Sequence, residues 1–174
     1  SYEYMADTRV MFFNKKIVED LNIEMPYQLV YDGNWTLDKM YELSSSAYVD
    51  LNGNSATDEG DRFGYVNQMW YAYLEAFNLE CYKEGNDGSL TYEFDIDKNQ
   101  KIIDAFHNLA FGEGGFFSQD AETIFANGNA LFTYQRLDTA REIFSQYDVV
   151  YGILPMPKLD ETQSVYYGGM TDRP

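Results

Sequence analysis

Short β-type runs alternate with helix-length amphipathic stretches along the whole chain, and this alternation restricts the fold more than any other feature. VMFFNKKI (Val10 to Ile17) reads as a strand running into a short amphipathic helix around Lys16 to Leu21. EMPYQLVYDGN is marked by Pro and Gly as a connection. Thr36 is placed to cap a helix whose broad apolar face carries Leu37, Met40, Tyr41, Leu43, Ala47 and Tyr48. FGYV (63–66) reads as a short strand, and MWYAYLEAFNL (69–79) as a helix rich enough in aromatics to be buried. ECYKE and LTYEFD flank the turn GNDG and predict a hairpin. Asp97 to Phe111 is the longest amphipathic helix, with Ile102, Ile103, Phe106, Leu109 and Ala110 inward, and GEGG ends it. QDAETIFANG is a short helix stopped by Gly128, ALFTY a strand, LDTAREIF a helix, YDVVYGILP a strand ended by Pro155, and SVYYGG a last strand. Strands and helices in turn predict an α/β (mixed α+β) fold whose mixed sheet is flanked by helices. The 174 residues suffice for one domain, 1–174, with its own core.

Charge removes whole classes of partner. With 29 acids against 12 bases the formal net charge is −17. Such a field repels nucleic-acid phosphates and anionic lipid heads, and no basic run offers a local exception. Cations are favoured, and a neutral ligand is indifferent. One cysteine, Cys81, permits no internal disulfide. No apolar run approaches the roughly 20 residues of a membrane span. Both ends, SYEYMADTRVMFF and GGMTDRP, read as cut from a longer protein.

DLNGNSATDEGD (50–61) places oxygen donors in calcium-loop spacing. An EF-hand loop draws ligands from positions 1, 3, 5, 7, 9 and 12, position 7 giving a backbone carbonyl. Here those positions are Asp50, Asn52, Asn54, Ala56, Asp58 and Asp61. Hard oxygen donors on a flexible loop suit Ca²⁺ rather than transition metals. Position 6 is Ser55 instead of Gly, and position 12 is the short Asp, a closing residue that resembles the dockerin type more than a sensor hand. A bound Ca²⁺ would be structural, relieving repulsion among three carboxylates. The alternative is an Asx-rich surface turn.

Three further stretches carry a family resemblance. FFNKKIVEDLNIEMPYQLVYDGNWTLDKMYELS, through Asn14, Lys15, Pro26, Trp35 and Thr36, resembles a lobe-opening segment of bacterial sugar-type extracellular solute-binding proteins, family 1, the receptors of ABC importers. IFANGNALFTY, through Phe125, Gly128 and Leu131 to Tyr134, is similar to that family's helix-to-strand unit. YGILPMPKLDETQSVYYGG, through Gly152, Ile153, Pro155 and Pro157, is similar to its strand exit. The resemblance implies a periplasmic-binding-protein-like type II lobe, most of the C-terminal lobe of a two-lobe protein truncated at both termini. It implies non-catalytic carbohydrate capture, delivery to an ABC permease, and a location outside the cell, lipid-anchored or periplasmic. A lobe without its mate would expose an apolar face, so self-association is expected.

Sugar sites pair aromatic platforms with planar hydrogen-bonding side chains, and pockets favour strand ends. Asn67, Gln68, Trp70 and Tyr71 follow the strand FGYV; Gln135 and Arg136 follow ALFTY; Tyr166 and Tyr167 lie in YYGG. These eight are the candidate ligand-binding residues, although Gln-Arg-Leu stands where the family often has Gly-Trp. No catalytic residue is assigned. The one histidine, His107, sits mid-helix without a nucleophile elbow, and GEGG lacks the lysine of a phosphate loop. A glycosidase-like carboxylate pair remains the enzymatic alternative, and a calcium-dependent interaction module the non-enzymatic one. The fold also hosts non-sugar solutes, peptides included.

Overall fold

Four strands that run the same way carry the fold, and one antiparallel strand set among them makes the sheet mixed. In a computed structural model, residues 8–68, 77 and 82–168 are described. The five-stranded sheet has the order β5 (Gly115–Phe117), β2 (Phe63–Asn67), β6 (Ala130–Arg136), β1 (Arg9–Asn14), β7 (Tyr151–Leu154). β2 lies parallel to both β5 and β6, whereas β1 is antiparallel to both β6 and β7. A separate exposed hairpin joins β3 (Tyr82–Glu84) to β4 (Leu90–Tyr92) where the sequence places one.

The pleat sends successive side chains of β1 to opposite faces, and a core lies on each. Met11 and Phe13 enter the larger cluster with α1 (Lys15–Asp20), α2 (Pro26–Tyr31), α3 (Leu37–Ala47) and α4 (Ile96–Phe111). Phe12 faces the other way, into a cluster with α5 (Ala121–Ala126) and Phe144. There the Phe12 and Phe144 rings meet edge to face at 5.1 Å, a geometry the ring quadrupoles favour. A four-residue helix, α6 (Thr139–Glu142), and a single 3₁₀ turn follow β6.

Helix starts follow their caps. The buried Asn14 side chain accepts from the backbone N–H of Lys16 at 3.0 Å and Ile17 at 3.2 Å, so β1 turns into α1 without a loop. Thr36 caps α3, its hydroxyl accepting from Lys39 N–H at 3.3 Å. Leu37, Met40, Leu43 and Ala47 are buried as the spacing predicts, and Tyr41 and Tyr48 are partly so.

Five expectations are corrected. EMPYQLVYDGN is not only a connection: Pro26 opens α2, since a proline at the first helical position has no N–H to lose and its φ is preset. GFF forms β5 just beyond the GEGG break, too short to show alternation, and is held by parallel pairing to β2. Ile103 is 58% exposed, because the buried stripe runs through Ile102, Phe106, Leu109 and Ala110 and leaves its neighbour on the outer flank. LDTAREIF shortens to α6 and the 3₁₀ turn. SVYYGG forms no strand over its described residues; Tyr166 docks on α2 instead. The aromatic stretch 69–79 lies outside the described residues, Phe77 excepted, and Phe77 is buried in the larger core. Among the described residues no helix is long and apolar enough to cross a membrane.

Candidate functional site

Parallel strands end together, and here β2 and β6 bring two amide-rich ends side by side. Val66 pairs with Thr133. Two residues further along, Gln68 and Gln135 come within 3.4 Å, Gln68 Nε2 facing Gln135 Oε1. The same Nε2 donates to Glu122 Oε1 at 2.9 Å. Gln135 is buried and its amide donates to Thr133 Oγ1 at 3.3 Å, while that hydroxyl donates to the carbonyl of Val66 at 3.0 Å. The whole amide row is thereby tied to the strand backbones, which fixes its orientation.

Asn67, the last residue of β2, is 1% exposed, and neither its Oδ1 nor its Nδ2 has a hydrogen-bond partner. Its backbone carbonyl is taken by Ser118 N–H at 3.0 Å, which pins the β5–α5 turn to this strand end. Arg136 closes β6 with an ion pair to Asp138 at 3.0 Å and a looser one to Glu142 at 3.6 Å. Arg9 stands opposite Arg136 in the antiparallel register and is itself buried.

Glu122, in the first turn of α5, completes the cluster. Burial raises its pKa above the usual glutamate value, with Asp138 adding to the rise, against the hydrogen bond from Gln68 and the charges of Arg136 and Arg9. A folded pKa above the unfolded one means this group's contribution to stability is complete below the unfolded pKa. It is lost as pH rises through the folded value. Glu122→Gln is therefore expected to match the parent protein at about pH 4, where the carboxyl is protonated in both states, and to be the more stable of the two near pH 7. Urea unfolding at both pH values checks this; a variant weaker at pH 7 would mean that the arginine charges outweigh burial.

The site so built is a row of planar hydrogen-bonding groups at the carboxyl ends of parallel strands, where open α/β sheets hold ligands. Of the residues named from sequence, it gathers Gln68, Gln135 and Arg136; Asn67 ends the same strand, but the pleat turns its side chain to the face of Tyr65 and Phe132, opposite Gln68. Trp70 and Tyr71 lie outside the described residues. Tyr166 and Tyr167 sit elsewhere. The Tyr166 hydroxyl reaches the Val30 carbonyl at 3.4 Å and Lys158 Nζ lies 5.7 Å over its ring. Burial pushes the Tyr166 phenol up in pKa, a backbone hydrogen bond at Trp35 opposing it. Tyr167 lines a separate cavity of about 620 Å³ with Phe77, Asp95, Lys98, Lys101 and Asp160. No hydrogen bond, ion pair or ring contact among the described residues joins either tyrosine to the Gln68–Glu122–Gln135 cluster. Sequence reasoning missed Arg9, Glu122 and Asp138. Glu122 was within reach had GFF been recognised as a strand, since it stands in the first turn of the helix that follows.

The 50–61 loop is a second polar constellation, between α3 and β2. Its neck is closed by a reciprocal Val49–Arg62 backbone bridge at 2.9 and 3.0 Å. Inside, Asp50 accepts from Gly53 N–H at 2.6 Å and Ser55 N–H at 2.9 Å. Asp58 accepts from the amides of Asn52 at 2.9 Å and Asn54 at 2.7 Å, and from Gly60 N–H at 2.8 Å. The bonds from Asn54 and Gly60 hold its pKa below the usual carboxylate range. Ser55 takes φ +61°, the conformation for which position 6 ordinarily uses glycine.

Comparisons with known proteins bear on the fold. No protein-family profile and no curated protein matches the chain. Solved structures do. An ABC transporter solute-binding protein from Agrobacterium radiobacter K84 in complex with ribitol superposes at a TM-score of 0.63 and 16% identity, over 96% of this chain and 42% of that one. A family 1 extracellular solute-binding protein from Bifidobacterium longum subsp. infantis does so at 0.55 and 14% identity, over 94% of this chain and 42% of its own. The maltotriose binding protein of Thermus thermophilus, bound with maltotriose, gives 0.53 and 16%, over 87% and 37%. The chain thus spans about two fifths of the length of the structures it matches. Its five-stranded mixed sheet with flanking helices has the fold of extracellular solute-binding proteins of ABC importers.

Proposed function

We propose that the chain is most of the C-terminal lobe of a two-lobe solute-binding protein that captures a carbohydrate outside the cell and delivers it to an ABC permease. The observation that carries this reading is the row of Gln68, Gln135 and Arg136 at the ends of β2 and β6, set beside Glu122. Sugar hydroxyls donate and accept at once, and Asn, Gln and Arg answer them two bonds at a time. Glu122 and Asp138 offset the charges of Arg9 and Arg136, so the row offers hydrogen bonds with little net charge and suits a neutral ligand. Trp70 and Tyr71, which follow Gln68 closely in the sequence, would supply the stacking platform. Two of the matched structures hold a polyol and an oligosaccharide, ribitol and maltotriose.

In this reading the protein performs no chemistry. Closure of two lobes over the ligand precedes handover, and the location is the cell surface, through a lipid anchor, or a periplasm. The exposed apolar side chains of the hairpin and of α4, among them Tyr92, Phe94, Ile96 and Phe111, support contact with another surface, including self-association of the isolated lobe.

The test is a thermal-shift screen of the intact protein against mono- and oligosaccharides, followed by calorimetric titration. One sugar class is expected to raise Tm by mass action. Gln135→Ala is expected to weaken that ligand by about 10- to 100-fold, the effect of removing a buried hydrogen-bonding group worth roughly 1–3 kcal/mol. Silence across the panel with folded protein, or cleavage of the sugar, overturns the proposal.

A further inference from the structure

The sugar reading leaves the 50–61 loop unused. Asp61 is fully buried, and its Oδ2 accepts from Asp58 N–H and from the Tyr48 hydroxyl, both at 3.2 Å. Those bonds hold the carboxylate against the loop. Its other oxygen, Oδ1, is buried and has no hydrogen-bond partner. A carboxylate oxygen left alone in a buried place is destabilising unless a cation or donor meets it. The chain around it supplies further oxygens: Asp50, Asn52, Asn54 and Asp58 stand at alternate or near-alternate positions, and the 56 carbonyl falls between them, while the Nε of the neighbouring base, Arg62, donates to the Ala47 carbonyl at 3.0 Å.

We propose that this loop is a calcium site, with Asp50, Asn52, Asn54, Asp58 and Asp61 giving side-chain oxygens and Ala56 its backbone carbonyl. Among the described residues no three Asp, Glu, His or Cys side chains already converge as a metal cluster. The loop's three carboxylates therefore draw together only as the ion binds, and the amides and the carbonyl complete a donor mix that Ca²⁺ accepts and that softer metals do not favour. Binding also turns two amides. Asp58 now faces the NH₂ groups of Asn52 and Asn54, whose oxygens accept from Asn54 N–H at 3.0 Å and Ala56 N–H at 2.7 Å; turning each amide by half a rotation gives up those two bonds and presents its carbonyl oxygen to the ion. The neck needs no change, since the Val49–Arg62 bridge already fixes both ends. The ion would join the end of α3 to the start of β2, whose far end carries Asn67 and Gln68, and would act as a staple, away from the sugar row.

The test uses the full chain after chelation with EGTA. Millimolar Ca²⁺ is expected to raise Tm by roughly 5 °C through binding to the folded state. Tb³⁺ is expected to luminesce on excitation of tyrosine, because Tyr48 touches Asp61, and Ca²⁺ is expected to quench that signal by displacement. Asp58→Asn, at a partly buried loop position and with the buried Asp61 left in place, is expected to lose both responses. No Tm rise and no displaceable Tb³⁺ signal overturns the proposal. So do equal responses in Asp58→Asn, which would mean diffuse binding to an acidic surface, and an equal response to Mg²⁺. Sugar affinity is read in the same samples, so loss of this site and failure of the sugar reading remain distinguishable.

Discussion

Gly64→Ala is expected to cost the chain at least about 3 kcal/mol, the upper end of what overpacking a filled core does. A Cβ at Gly64 would stand 1.9 Å from the Ser44 carbonyl oxygen and 2.2 Å from the Ser44 Cα. Both are backbone atoms of α3, so no side chain can swing away to make room. Gly114 approaches the same residue, its added Cβ meeting the Ser44 oxygen at 2.4 Å, and it also needs φ +86°. Between them the two glycines let α3 lie directly on the β2–β5 seam, where Gly114 O accepts from both Gly64 N–H at 2.8 Å and Tyr65 N–H at 2.9 Å. Pushing α3 outward would loosen the strand that ends in Asn67. For a chain of this size the loss amounts to roughly 6–12 °C in Tm. Differential scanning fluorimetry of the alanine variant measures it, and a shift under about 2 °C would show that α3 slides at little cost.

Trp35→Ala is expected to destabilise by about 3–5 kcal/mol, the range for deleting a fully buried large aromatic. Trp35 is wholly inaccessible, its ring 5.3 Å from that of Phe132 in β6. Its indole N–H donates to the Pro155 carbonyl at 3.0 Å, and truncation strands that acceptor. Its backbone carbonyl accepts from Lys158 N–H at 3.0 Å, and Leu37 N–H donates to Lys158 O at 2.9 Å. Trp35 thus fastens the chain leaving β7 to the start of α3. Guanidinium unfolding gives the loss directly, with Trp70 left as the fluorescent reporter. Trp35→Phe, which keeps most of the ring volume but no N–H, is expected to recover the larger part; equal losses in the two variants would mean that the hydrogen bond, not the packing, dominates.

How far the molecule was legible in its residues depends on the distance over which each feature is decided. Thr36 and Gly128 mark caps that involve neighbours within four residues, and the structure places each at the helix boundary read for it; the Asn14 cap, equally local, emerged only in the structure. β2 and β6 were visible because each has enough consecutive apolar residues to resemble nothing else. β5 was not, because three residues carry no period and the strand exists only through its pairing with Tyr65 to Asn67. Ile103 was misplaced because the helical stripe can be drawn on either side of Ile102 until the neighbouring α3 and Phe77 choose between them.

The candidate site divides in the same way. Asn67, Gln68, Gln135 and Arg136 follow recognisable strands and were named from their positions alone. That Gln68 meets Gln135 required the parallel register of two strands more than sixty residues apart. Arg9, Glu122 and Asp138 belong to three other parts of the chain, and nothing local distinguishes them from the many other charged residues. Tyr166 looked like a ligand contact in sequence, but tertiary packing draws it onto α2.

By itself, then, the sequence determined the alternation of elements, the capped helix starts and the oxygen spacing of the 50–61 loop. Each of these is set by backbone periodicity and by side chains acting on their own neighbourhood. Only the tertiary structure decided the strand order, the glycine seam beneath α3, the burial of Asp61 and the gathering of Arg9, Gln68, Glu122 and Gln135. Those depend on which distant segments exclude water together, and that is fixed by the packing of the whole domain.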